Sequence, residues 1–385
     1  MAATVAGFVV LAMPDAALGV AWPSMRADLD QPLPALGVLL AVLTAGYLLA
    51  SVATGPLAAR VGGGVLLAAA GLAGAIALGA YAVAPAWSVV LAAAALLGVS
   101  GGLLDAGLNA HSALHHGAPA LNLLHAGFGV GSTIGPLLMT GILVVGGSWR
   151  SAFAVLAVVD LALGVAYWRT RRAWATDGLA GASEDDEPTA PPGSTRRWPV
   201  VIGAITFFVY VGIEVSAAQW AYSLFTEERG FSEGSAGTWV ALYWAALTVG
   251  RLGAAAAGHR VAPDALLTVA VAGAALGATV LWLAPVPALG PLGLALLGLA
   301  LAPVFPTLVA VTPARVGATR TASAVGLQVA AGGLGGGLLP LTVGLVMDRA
   351  GLEALGPLLL AGAVAMGLLD LAGRRAPAPS LAGWR

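Results

Sequence analysis

Residues Gly101–Leu138 read GGLLDAGLNAHSALHHGAPALNLLHAGFGVGSTIGPLL. One aspartate, two asparagines and four histidines sit there between two long apolar arms. Each arm is long enough to cross a bilayer, and ionisable groups kept inside one are costly and generally have a task.

The composition extends that reading to the whole chain. Of 385 residues, 59% are hydrophobic and 9% charged, with a mean hydropathy of +0.92; soluble domains carry roughly a quarter charged residues. The absence of cysteine excludes disulfides and thiolate metal sites. A net charge of -1 argues against nucleic acid as a partner. The mostly apolar Ala2–Leu11 has no basic flank and no small-residue cleavage site, so the first segment reads as a retained helix.

A spanning helix needs about 20 apolar residues. Runs of that size recur at 3–22, 35–59, 64–83, 87–111, 120–145, 150–168, 199–225, 236–257, 265–283, 290–311, 322–346 and 355–372, which predicts twelve helices. Between the sixth and seventh, Arg169–Trp198 reads RTRRAWATDGLAGASEDDEPTAPPGSTRRW, a polar tether with basic ends and an acidic middle. It divides the chain into a six-helix bundle over 1–168, a linker over 169–198, a second bundle over 199–372 and a tail over 373–385.

Arginine placement sets the expected orientation. With both termini cytoplasmic, the inside receives Arg60, Arg169, Arg171, Arg172, Arg196, Arg197, Arg260, Arg315, Arg320, Arg374, Arg375 and Arg385. The outside receives Arg26, Arg150, Arg229 and Arg349, and Arg251 falls inside a span. The expectation is a multi-pass protein of a bacterial inner membrane.

The two halves also echo each other. Asp15 precedes Trp22 in the first span and Glu214 precedes Trp220 in the seventh. The fifth span runs from His125 through glycines to Pro136, and the eleventh from Gln328 through GGLGGG to Pro340. Parallel six-helix repeats around a polar midplane site describe a rocking transporter, and glycine-dense helices allow the close approach that rocking needs.

With these features the chain resembles the major facilitator superfamily over essentially its whole length. The superfamily's loop signature between spans two and three appears as GPLAARVGG, with Gly55, Leu57, Arg60 and Gly62 in place and Ala59 where an aspartate is usual. Its second-half counterpart begins GRLG, with Gly250 and Arg251. Within the superfamily the chain looks like the fucose–galactose–glucose:proton symporter branch, through Asp105 followed by Asn109, Leu121-Asn122-Leu123 with His125, VYVGIEVSAAQW and APVFPTL. His125 replaces what is commonly glutamine there, and Gly19 stands where the branch carries a membrane aspartate. The resemblance implies an all-α fold of two six-helix bundles related by a pseudo-two-fold axis around a central cavity. It implies a proton gradient as the energy source and no cofactor.

Spacing points to a site independently. Spans four and five are expected to be antiparallel neighbours turning near His115, so Asp105 and His125 lie at one depth, and Asn109 and Asn122 at another. Asp105 and Asn109 share a helical face, as do Asn122 and His125. An acid beside an imidazole suits proton exchange. The candidate proton-coupling residues are therefore Asp105, His125, Glu214 and Asp15. Asn109, Asn122, Gln219, Trp220, Gln328 and Phe128 are candidates for holding the solute, and Arg60 and Arg251 for gating or structure. His111, His115 and His116 are read as a solvated loop without a metal, and Trp22, Trp149, Trp198 and Trp239 as interfacial anchors.

The favoured function is a monomeric secondary transporter that moves a small polar solute, such as a sugar, with protons by alternating access. A proton-driven exporter of drugs or lipids is the alternative. An enzyme is disfavoured because no nucleophile motif, nucleotide loop or metal quartet is present.

Overall fold

The computed structural model describes residues 1–116, 118–174, 198–257, 260–284, 286, 288–317 and 320–375. The middle of the predicted linker and the last ten residues of the predicted tail lie outside these. In hydrocarbon every backbone N–H and C=O must be satisfied within the chain, which leaves helices as the economical solution for segments this rich in Ala, Leu, Val and Gly.

The helices are α1 (Ala2–Asp28), α2 (Ala35–Val61), α3 (Gly63–Val83), α4 (Trp87–His115), α5 (Ala118–Val144) and α6 (Trp149–Thr170) in the first half. The second half holds α7 (Trp198–Ser223), α8 (Glu233–Ala257), α9 (Pro263–Leu283), α10 (Leu289–Leu301), α11 (Val304–Val316), α12 (Thr321–Ala350) and α13 (Leu355–Arg375). The predicted tenth span is broken at Ala302 and Pro303 into α10 and α11, since a proline cannot continue the hydrogen-bond ladder. The other eleven predicted spans each correspond to one helix, with ends that differ by a few residues.

Packing repeats between the halves. The pairs α1·α5, α2·α4, α3·α6 and α3·α4 recur as α7·α12, α8·α10, α9·α13 and α9·α10. Across the halves α2 packs on α12, α5 on α8 and α1 on α7, the pattern of a pseudo-two-fold axis. Turn backbones follow the same symmetry: Asp30 and Gly230, in the α1–α2 and α7–α8 turns, have φ of 51° and 67°. Gly146 and Gly351, after α5 and α12, have φ of 82° and 90°. Left-handed backbone is what reverses the chain there, and it favours glycine or a short acid.

The halves clasp from mid-depth toward the face opposite the termini. There Gly19 meets the Gln219 backbone, Gly37 meets Leu341, Gly337 meets Thr44 and Gly237 meets Thr140. A Cβ at Gly19 would lie 2.7 Å from the Gln219 carbonyl oxygen, so only glycine fits. At the far rim Arg26 pairs with Glu227. On the terminal side no hydrogen bond or ion pair joins the halves among the described residues.

Three expectations are corrected here. The fourth and fifth spans are not packed side by side along their length: α4 lies on α2 and α3, while α5 lies on α1 and across to α8. His111 and His115 belong to α4 and not to a loop; His111 is buried, stacks on His115 at 4.4 Å and faces Trp174 at 4.8 Å. Trp22 and Trp149 are core residues rather than interfacial anchors, Trp22 against Trp87 and Trp149 through an indole N–H that donates to Asp28 at 2.8 Å. Trp198 is 63% exposed, as an interfacial anchor would be.

Candidate functional site

A cavity of about 220 Å³ lies within the first half and reaches α12 at Gly333. Its wall carries the carboxylates of Asp15 (α1), Asp105 (α4) and Asp160 (α6). Tyr47, Thr44, Ser100 and Phe128 complete the functional lining, among leucines and glycines.

Asp105 is the best-held of the three. Its Oδ2 accepts from the Tyr47 hydroxyl at 2.5 Å, and its Oδ1 accepts from Asn109 Nδ2 at 3.0 Å. The i,i+4 spacing put Asn109 on the same face as expected, whereas Tyr47 comes from α2, which packs along α4. His125 does not hydrogen-bond Asp105 among the described residues; it is exposed, with its ring edge on Phe8 at 5.9 Å. The displacement follows from the packing just described, because α5 faces α1. Asn122 lies in α5, and its side chain is outside the described residues.

Asp15 lines the cavity at the middle of α1, and its backbone carbonyl accepts from Gln219 Nε2 at 3.0 Å. Gln219 is thereby spent on joining the halves and is 1% exposed. Trp220 is fully buried with its indole N–H donating to the Pro340 carbonyl at 3.0 Å, so it packs α7 on α12 and does not face the cavity. Gln328 is likewise buried, its Oε1 accepting from Thr312 at 3.1 Å and its amide covering Gly203. None of these three expected solute contacts lines the cavity, because pseudo-symmetry relates positions in a bundle but does not set which face a side chain takes. Phe128, by contrast, lines the cavity.

A second buried polar group sits in the other half. Glu214 accepts from the Tyr210 hydroxyl one turn away and pairs with Arg251 of α8 at 3.5 Å, while its backbone carbonyl accepts from Tyr243 at 2.9 Å. Arg251 therefore ties α8 to α7. Arg60 is exposed and makes no ion pair or hydrogen bond among the described residues, so it latches nothing in this conformation.

Sequence reasoning named neither Tyr47 nor Asp160 as a candidate. The available signal was the same for both: a hydroxyl or carboxyl in mid-span must face protein or water.

Two six-helix bundles clasped on one face, with a carboxylate-bearing cavity in the first that reaches the second, are the architecture of a membrane solute transporter. A family model described as Major Facilitator Superfamily matches residues 4–340, and the chain belongs to that superfamily. No curated protein matches it in sequence. Among solved structures, a bacterial homolog of the human lysosomal transporter Spinster, inward-facing and occupied, is similar at a TM-score of 0.75 and 12% identity, over 99% of this chain and 98% of that one. The nucleoside transporter NupG is similar at 0.74 and 14%, over 97% of each chain. The human organic anion transporter MFSD10 is similar at 0.66 and 16%, over 96% and 98%. At these identities the likeness is one of fold.

Proposed function

We propose that the chain is a proton-coupled transporter that moves a small polar solute, sugar-like in its hydroxyls, by alternating access across a bacterial inner membrane with both termini cytoplasmic. The observation that carries the reading is Asp105, a carboxylate on the cavity wall held by Tyr47 and Asn109. A carboxylate with fixed donors on one side and a cavity on the other can take up or release a proton while water reaches it and hold that state while the cavity is closed. Under that orientation the clasped face is the outer one, so the conformation is inward-facing. The fucose-permease branch remains the favoured kinship for its solute class. Asp105 and Asp15 are the proton carriers in this reading, with Asn109, His125 and Phe128 close to the solute path.

The test is transport in proteoliposomes. Asp105→Asn is expected to abolish gradient-driven accumulation while sparing counterflow; full accumulation by that variant would remove Asp105 as the coupling acid. Absence of both labelled-polyol uptake and substrate-dependent alkalinisation in the unmodified protein would end the symport reading.

The leucines of the wall, Leu11, Leu43, Leu97 and Leu104, favour a second reading, export of a more apolar solute. A nucleoside, the cargo named for NupG, fits the mixed wall; an organic anion, named for MFSD10, is opposed by its three carboxylates.

A further inference from the structure

We propose that the cavity holds its solute by an ammonium group, with Asp160 as the anchoring carboxylate. This rests on the transport reading above and names the chemical class of the solute.

Asp15, Asp105 and Asp160 come from three helices and line one cavity, whose wall includes no arginine or histidine among the described residues. Every basic residue of the chain other than histidine is an arginine, and Arg251, the one within a span, is engaged by Glu214 in the other half. Asp105 has its two donors. Asp160 has none: its side chain is 3% exposed, lines the cavity, and makes no hydrogen bond or ion pair among the described residues. A buried carboxylate left in that state is strongly unfavourable until a proton or a cation compensates it.

The surroundings of Asp160 favour a polyvalent donor. A Cβ on Gly74 would lie 3.1 Å from its Oδ1 and 2.8 Å from Ser100 Oγ, so the glycine keeps open the space that both oxygens border. The Ser100 hydroxyl already donates to the Ala70 carbonyl at 2.8 Å, which leaves it an acceptor beside the carboxylate. Two adjacent acceptors, one of them charged, are satisfied together by an ammonium, which carries three donors and no lone pair. A hydroxyl supplies one donor and no charge. The Tyr47 and Phe128 rings on the same wall can receive a cation on their faces. Asp105, with its own donors, stays available for the proton, so solute and proton occupy different acids.

Glucamine and sorbitol share a carbon chain and differ by an ammonium in place of a hydroxyl, which makes them the probes. For the purified full chain, glucamine is expected to protect against thermal unfolding at concentrations about tenfold or more below sorbitol, as a ligand of the folded state does. It is also expected to outcompete sorbitol in counterflow. Asp160→Asn is expected to erase that preference, bringing glucamine to the level of sorbitol; the unmodified protein alone decides the ammonium question should the variant fail to fold. Proton-coupled uptake of sorbitol or neutral sugars with no advantage to glucamine would overturn the ammonium anchor and leave the transport reading standing. A glucamine preference undiminished in Asp160→Asn would overturn the assignment to Asp160. Binding and transport of neither probe would overturn both.

Discussion

Asp105 draws one donor from its own helix and one from 58 residues away, and the two differ in how they could be anticipated. Asn109 follows from helical spacing. Tyr47 does not, because spacing along one helix says nothing of which neighbour lies beside it. Hydrogen bonds to charged groups contribute roughly 1.5–3 kcal/mol. Tyr47→Phe, which keeps the ring and removes the hydroxyl, is therefore expected to lower proton-driven accumulation about tenfold while counterflow stays within about twofold, both read in proteoliposomes. Asp370 poses the converse case. It is 4% exposed and accepts from Arg315 at 2.7 Å and from Arg374 at 2.5 Å, the latter at the i,i+4 spacing visible in the sequence. Asp370→Asn leaves Arg315 and Arg374 only the more exposed Asp264, at 3.3 and 3.6 Å, as a charge partner, and breaking a buried pair costs about 3–5 kcal/mol. The expected outcome is a melting temperature lower by several degrees with the solute preference unchanged, measured on purified protein.

At the scale of elements, hydropathy sufficed to mark the spans, since lipid leaves the backbone no alternative to a helix. The neighbours of each helix were not legible in the same way. All spans are apolar on most faces, so no amphipathic stripe announces the partner, and the expected α4–α5 contact gave way to α1 beside α5. Glycines carry that information instead, because a helix face that meets another backbone cannot bear a Cβ. Gly19 on Gln219 and Gly337 on Thr44 are such positions. Overpacking a close contact costs about 1–3 kcal/mol. Gly19→Val is expected to part the halves on the face away from the termini. The chain has no cysteine, so a single Thr44→Cys is a clean reporter. Its labelling by an impermeant thiol reagent applied from that face is expected to rise about fivefold or more in the Gly19→Val background, and an unchanged rate would show that the contact does not hold the face shut.

For the whole molecule, the clasp ends in a single partly exposed ion pair, Arg26 with Glu227, at side-chain exposures of 29% and 27%. Pairs of that exposure contribute up to about 1 kcal/mol, which shifts a two-state population by about fivefold. Arg26→Glu is expected to raise Thr44→Cys labelling by about that factor, and adding Glu227→Arg to restore it. Orientation is decided at this scale too. Reporter fusions at both ends are expected to report the cytoplasm, following the arginine asymmetry; a periplasmic reading at either end would invert the assignment of the clasped face.

The seam itself is made largely of main chain and short side chains. Surfaces of that kind have few rotamers to immobilise when they meet, so the far face can part and reseat without a search through side-chain conformations. Besides Gln219, whose amide re-forms its bond to the Asp15 carbonyl, Arg26 and Glu227 are the exception, two long charged chains that must find each other on every return. The pace at which the emptied carrier resets would then be governed at its rim, some distance from the acids that give it a cargo.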